Sequence, residues 1–153
     1  FLLSNASLET INDIISLLEL RISLESEAVF LASERRKQIH IDKMKAALED
    51  FERHISSDAN DGTVKADYDF HIAIAEASEN QYFVDFLKYL GEKIIPRARV
   101  KSIEQSPENR EEYLKAVHHD HVNIYNAIVD QDGLLARQMM RAHLSKSIKK
   151  FKQ

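Results

Sequence analysis

The sequence predicts an all-α fold, an antiparallel bundle of about six to seven helices. Three observations carry this. Only 3 Gly and 2 Pro interrupt 153 residues, so helix breakers are scarce. Apolar residues recur at helical three-and-four spacing along most of the chain, and no segment sustains the alternation of a strand. The polar connections are short, which makes successive helices antiparallel neighbours. At this length one core suffices, so residues 1–153 are expected to form a single domain.

The first helix is expected over residues 7–35, with Ser7 as its cap. The second spans 39–57 and ends before SSDANDG, a loop by composition. The third covers 62–77. The fourth covers 80–103, with Asn80 as its cap and Pro96 marking a kink or break. The fifth runs over 107–130, where Pro107 suits a first turn. The last runs over 132–151.

Composition removes several classes of function. There is no Cys, so disulfides and thiolate metal sites are impossible. The longest apolar runs fall far short of the roughly 20 residues a membrane span needs. The net charge is −4, and the one cationic cluster, KSIKKFK, reads as a solvated last turn that complements the helix dipole. Such a chain is a poor DNA binder by itself. With no membrane segment and no secretory signal, the expected location is cytoplasmic.

Several polar residues fall on faces that should be buried. On the third helix Val64, Asp67, His71, Ile74, Ala75 and Ser78 share one stripe, while Asp69 points nearly opposite. On the fifth helix His121 lies at the centre of the stripe Leu114, Val117, Ile124, Tyr125 and Ile128, with His118 at its edge and His119 on the far side. On the last helix His143 follows Ala136, Met139 and Met140. An isolated buried carboxylate is costly, whereas an Asp beside three imidazoles on a divalent cation is not. Three His and one Asp suit Zn²⁺, Ni²⁺ or Fe²⁺. Two plainer readings stand beside this one. An inward His is often a hydrogen-bonded core residue, and Asp67 with His71 at i+4 could be an ion pair. On the first helix Arg21 interrupts the stripe Ile14, Leu17, Leu18, Leu24, Ala28 and Ala32, with Glu25 one turn later. A guanidinium there needs an anion, either Glu25 itself or the carboxylate of a bound ligand. His40 and His54 are expected at the surface. Tyr82, Phe83, Phe86 and Tyr89 are expected in the core or at a dimer contact.

Four stretches together carry a resemblance: ELRISLESEAVFLASERR (19–36), DYDFHIAIAEASEN (67–80), DHVNIYNAIVDQD (120–132) and MRAHL (140–144). Taken in order, they resemble the effector-binding C-terminal domain of the FadR subfamily of GntR transcription regulators, the FCD domain, across nearly the whole chain. The resemblance implies an all-α bundle that binds a small metabolite and supplies a dimer contact. In the metal-dependent branch it implies a divalent ion on Asp67, His71, His121 and His143, with a carboxylate effector held by the ion and Arg21. The acyl-CoA-binding branch lacks this ligand set. The sequence departs from the pattern at Asp120, where Glu is common, and at Gln131, where Gly is usual; neither belongs to the ligand set. The winged-helix DNA-binding domain that precedes this domain in the family is absent from the chain, so DNA contact is expected only through such a domain, and truncation is the expected reason.

The resulting expectation is a ligand-sensing, dimerising and non-enzymatic module. Its partners are a small carboxylate metabolite and a second copy of the chain, and Arg99 joins Arg21 as an effector-binding candidate. The alternative is a metal-dependent hydrolase on a helical bundle, suggested by the segment HHDH. Against it, His119 faces the polar side and no general base stands beside the ion.

Overall fold

A computed structural model describes residues 11–57, 61–91 and 107–152. Among the described residues there are six helices and no strand: α1 (Ile11–Arg35), α2 (Gln38–His54), α3 (Asp61–Ala77), α4 (81–91), α5 (Pro107–Val129) and α6 (Gly133–Lys152). The all-α expectation holds. Ser7, Pro96 and Arg99 lie outside the described residues.

The helix ends show why the chain turns where it does. Asn80 caps α4 as expected: its Oδ1 accepts from the Tyr82 N–H at 3.0 Å. Asp132 caps α6 by accepting from the Leu135 N–H at 3.1 Å. α5 closes with a Schellman turn, in which the Asp132 N–H reaches the Ala127 carbonyl at 2.9 Å and the Gln131 N–H reaches Ile128 at 3.0 Å. That turn puts Gln131 at φ 57°, the left-handed region, which is the physical reason glycine suits the position.

His40 corrects an expectation. It is buried, and its Nδ1 accepts from the Lys37 N–H at 3.0 Å, closing the start of α2. His54 is half-buried and donates from Nδ1 to the Asp50 carbonyl at 2.7 Å.

Packing follows from small residues at close approaches. α1 lies along α6 and α2 along α3, with α5 bridging α6 and α2. α1 and α6 run antiparallel: Ile14 and Leu18 near the start of α1 cluster with Phe151 near the end of α6. At the opposite end, a Cβ on Gly133 would lie 2.8 Å from the Phe30 ring, so a larger residue there would force that ring to shift. The main core gathers Val29, Ala32, Met44, Phe70, Ile74, Ile124, Ile128 and Met140 from α1, α2, α3, α5 and α6. Burying such side chains stabilises by about 1.5–3 kcal/mol each before entropy is counted.

Arginines at the end of α1 and just beyond it tie helix ends together. Arg35 donates to the Ser78 carbonyl at 2.8 Å, just past α3. Arg36 donates to the carbonyls of Ile128 and Val129 at 3.0 and 2.7 Å, satisfying the orphan acceptors at the end of α5. With those ends fixed, the middles of α1, α3, α5 and α6 face one another. Arg21, His71, His121 and His143 all sit in those middles.

Candidate metal centre

The interior of the bundle is polar at one point. His71 (α3), His121 (α5) and His143 (α6) are 2%, 0% and 8% exposed. Each offers a ligand atom, and these atoms lie within 4.8 Å of one another. The ring centroids stand 5.4 Å apart for His71 and His121, 4.9 Å for His121 and His143, and 5.9 Å for His71 and His143. Asp67 completes the group from one turn before His71. Its side chain is 41% exposed, yet Oδ1 is buried and stands 3.2 Å from Nε2 of both His71 and His121.

These contacts lack hydrogen-bond geometry. Asp67 Oδ1, His71 Nε2 and both ring nitrogens of His121 are buried without a hydrogen-bond partner. Buried polar atoms in a native core are nearly always satisfied, so Asp67 Oδ1 and the Nε2 atoms of His71 and His121, orphaned side by side, call for a shared partner. Two ligand atoms about 2.1 Å from a shared ion lie roughly 3.0–3.4 Å apart, and the 3.2 Å spacings match that. The residues therefore fit a divalent cation.

Around the four lies a second ring of polar groups. Asp120 Oδ2 accepts from His143 Nδ1 at 2.9 Å and pairs with Lys146 Nζ at 3.0 Å. Glu25 is 3% exposed and meets His71 Nδ1 with Oε1 and Arg21 Nε with Oε2. Asp120, set aside in the sequence as a departure outside the ligand set, touches one of its histidines. The internal Arg21–Glu25 pair anticipated from the sequence is present, and the contact of Glu25 with His71 is an addition to it. Tyr113 on α5 is a further neighbour that the sequence reading missed, since its position gives no periodic signal.

Charge and burial set the protonation states. Burial would raise the Glu25 carboxyl, but Arg21 and then His71 hold it at about 2. Burial disfavours a charged His71, yet Glu25 outweighs it and lifts the imidazole to about 9. Burial wins at His121 and lowers it to about 4, with Asp67 only partly offsetting. Asp67 stays well below its usual range because His121 and His71 overcome its burial. Asp120 is drawn down to about 2, burial being outweighed by His143 and Lys146. Burial, and then the negative charge of Asp67, push Tyr113 up to about 12. His121 is thus neutral and ready to ligate, while His71 exchanges a proton for any ion it takes.

Beside the centre lie two small cavities. One, of about 30 Å³, is lined by Arg21, Asp67, Tyr68, His71, Leu87 and Leu90. The other, of about 10 Å³, lies between Arg21, Glu25, His71 and Phe83. The first has room for about two waters and the second for one at most, since one water takes roughly 10–15 Å³ of such volume. His118 and His119 stand apart from the centre, as expected. His118 pairs with Glu52 at 3.0 Å and His119 is exposed.

Fold and site together define a class: an all-α bundle with a cluster of buried polar groups in its interior. The particular family is shown by comparison. The FCD domain model matches residues 16–146, and the chain belongs to that family, the effector-binding regulatory domain of GntR-type regulators. The HTH-type transcriptional regulator LutR of Bacillus subtilis (strain 168) is 30% identical over 150 residues, which are 94% of this chain and 64% of that protein. The chain thus spans less than two thirds of that relative's length. Among solved structures, E. coli McbR/YncC superposes with a TM-score of 0.80 at 16% identity, covering 93% of this chain and 69% of that one. Lar, described as controlling the expression of the Listeria monocytogenes agr system and mediating virulence, superposes with a TM-score of 0.76 at 17% identity, covering 93% and 64%. These two likenesses show the fold. The family and its relatives are transcription regulators, not enzymes, so the hydrolase alternative falls. No described helix is long and apolar enough to cross a membrane.

Proposed function

We propose that this chain is the metal-dependent sensing and dimerising part of a transcription regulator. It holds one divalent ion, Zn²⁺, Ni²⁺ or Fe²⁺, on Asp67, His71, His121 and His143, and a small carboxylate effector at that ion. One observation carries the reading: three buried histidines from three helices have ligand atoms within 4.8 Å of one another, and beside them Asp67 Oδ1, His71 Nε2 and the His121 nitrogens have no hydrogen-bond partner.

The bound ion would act as a Lewis acid with open positions for an effector oxygen. The protein's own residues do the rest. Asp67 offsets one charge of a divalent ion, and Glu25 offsets Arg21, so the loaded interior keeps a net positive charge that an anionic ligand balances. Arg21 borders the cavity, and among the described residues its guanidinium pairs with Glu25 through Nε, while its two terminal nitrogens make no hydrogen bond there. A hydroxy acid is larger than the present cavities, so its entry requires side-chain movement. That movement, set between α1 and α3, is a route by which binding alters the bundle and a linked DNA-binding domain. Arg99 is retained as a second effector contact. Location in the cytoplasm, a homodimer in solution, and DNA contact through a preceding winged-helix domain complete the proposal.

Thermal melting of the metal-loaded chain with a panel of small organic acids tests it. At least one hydroxy acid or sugar acid raises the melting temperature of the parent, because a ligand bound only to the folded state stabilises it. Arg21→Met abolishes that shift. No shift with any acid, or an equal shift in Arg21→Met, contradicts the effector site.

A further inference from the structure

Glu25 contacts more than the ion pair that its position one turn after Arg21 implies. Its two oxygens are divided: Oε1 meets His71 Nδ1 and Oε2 meets Arg21 Nε. Glu25 is 3% exposed, so bulk solvent hardly reaches either oxygen. His71 is 2% exposed and has Nε2 facing the interior point without a hydrogen-bond partner. A neutral imidazole carries one N–H, and whichever nitrogen holds it cannot bind a cation. Once His71 is neutral, an acceptor fixed at Nδ1 keeps the remaining hydrogen there and leaves the Nε2 lone pair to an ion.

We propose that Glu25 is the positioning residue for both halves of the site: one oxygen fixes the Nδ1–H tautomer of His71 so that Nε2 can ligate, and the other aims the Arg21 guanidinium at the cavity. The inference rests on the metal-binding reading above. Asp120 has the corresponding role for His143 alone, through Nδ1 at 2.9 Å. Carboxylate partners of this kind typically hold metal affinity up by about 10–100-fold. Glu25 differs in serving an arginine as well, so the geometry of the ion and that of the effector-binding guanidinium depend on one side chain.

Glu25→Gln tests the sharing, because an amide has one acceptor oxygen where the carboxylate has two. The oxygen goes to the charged Arg21, and the NH₂ then faces His71 Nδ1. That forces the hydrogen of His71 onto Nε2, where it blocks the ion. Adding Arg21→Met frees the amide to turn its oxygen back to His71.

The probe is Co²⁺ alone, titrated against the parent, Glu25→Gln, the double variant, and Asp69→Asn as a control on a half-buried carboxylate of α3 that pairs with Lys65 at 2.6 Å. Two readings are taken: the dissociation constant with the visible d–d spectrum, and the His71 tautomer by ¹⁵N-resolved imidazole spectra of the zinc-loaded chain. The proposal expects Glu25→Gln to bind about 10–100-fold more weakly with a changed spectrum, the double variant to recover at least part of that loss, and the control to match the parent. Should Glu25→Gln fail to fold, Glu25→Asp replaces it; the shorter carboxylate cannot span both partners, and the same weakening is expected. Parent and variant affinities within threefold, with one tautomer throughout, overturn this inference and leave the metal site standing. A parent that takes up no Co²⁺ overturns both.

Discussion

His121 is the group whose removal is most informative. It is wholly buried, it is neutral at physiological pH, and neither ring nitrogen has a hydrogen-bond partner. As a core residue it would leave polar atoms unsatisfied at a cost of about 1–3 kcal/mol. As a ligand it is satisfied by the ion. His121→Ala is therefore expected to lose bound metal almost entirely while Asp69→Asn keeps it, read by metal content after dialysis. The inward direction of Asp67, His71, His121 and His143 could be read from helical spacing, since position on a wheel requires no partner. The contact from Glu25 to His71 could not. It depends on how α1 and α3 are set against each other across 46 positions of sequence. Asp120 escaped for a related reason: it lies at the edge of its stripe, and only α6 brings His143 to it. His40 escaped because its role is a local backbone contact that leaves no apolar pattern.

The ends of helices carry two further expectations. Gln131 occupies the left-handed position of a Schellman turn, where a side chain costs about 1 kcal/mol. Gln131→Gly should stabilise the chain by about 0.5–1 kcal/mol and raise the melting temperature by roughly 2–4 °C, measured by calorimetry. Arg36 donates from two nitrogens to the last carbonyls of α5. Arg36→Met should cost about 2 kcal/mol, seen as a lower urea midpoint with an unchanged slope. Helix positions were largely readable, because the period of apolar residues and caps such as Asn80 are local signals. The second helix ends at His54 rather than reaching residue 57, because polar residues near a helix end carry no periodic signal that fixes the boundary.

An ion held by α3, α5 and α6 would join three elements that meet only late in the sequence. Its removal is expected to act on the whole bundle. At free metal about a hundredfold above its dissociation constant, binding contributes about 2.7 kcal/mol, so a chelator should lower the melting temperature by roughly 5–10 °C. The His121→Ala chain should not respond to chelator. The class of fold followed from composition and periodicity, since few breakers and short connections leave little but a helical bundle. The arrangement of helices around the polar point followed from neither; it needed the close α1–α6 approach at Gly133 and the arginine ties at the helix ends. The most direct test of the central claim is elemental analysis of the purified, untagged chain, prepared without added metal and compared with His121→Ala. About one transition-metal ion per chain, absent from the variant, is the predicted result. No metal in the parent, with a variant that melts at the same temperature, would contradict the account and leave the four inward groups as structural residues of an FCD bundle.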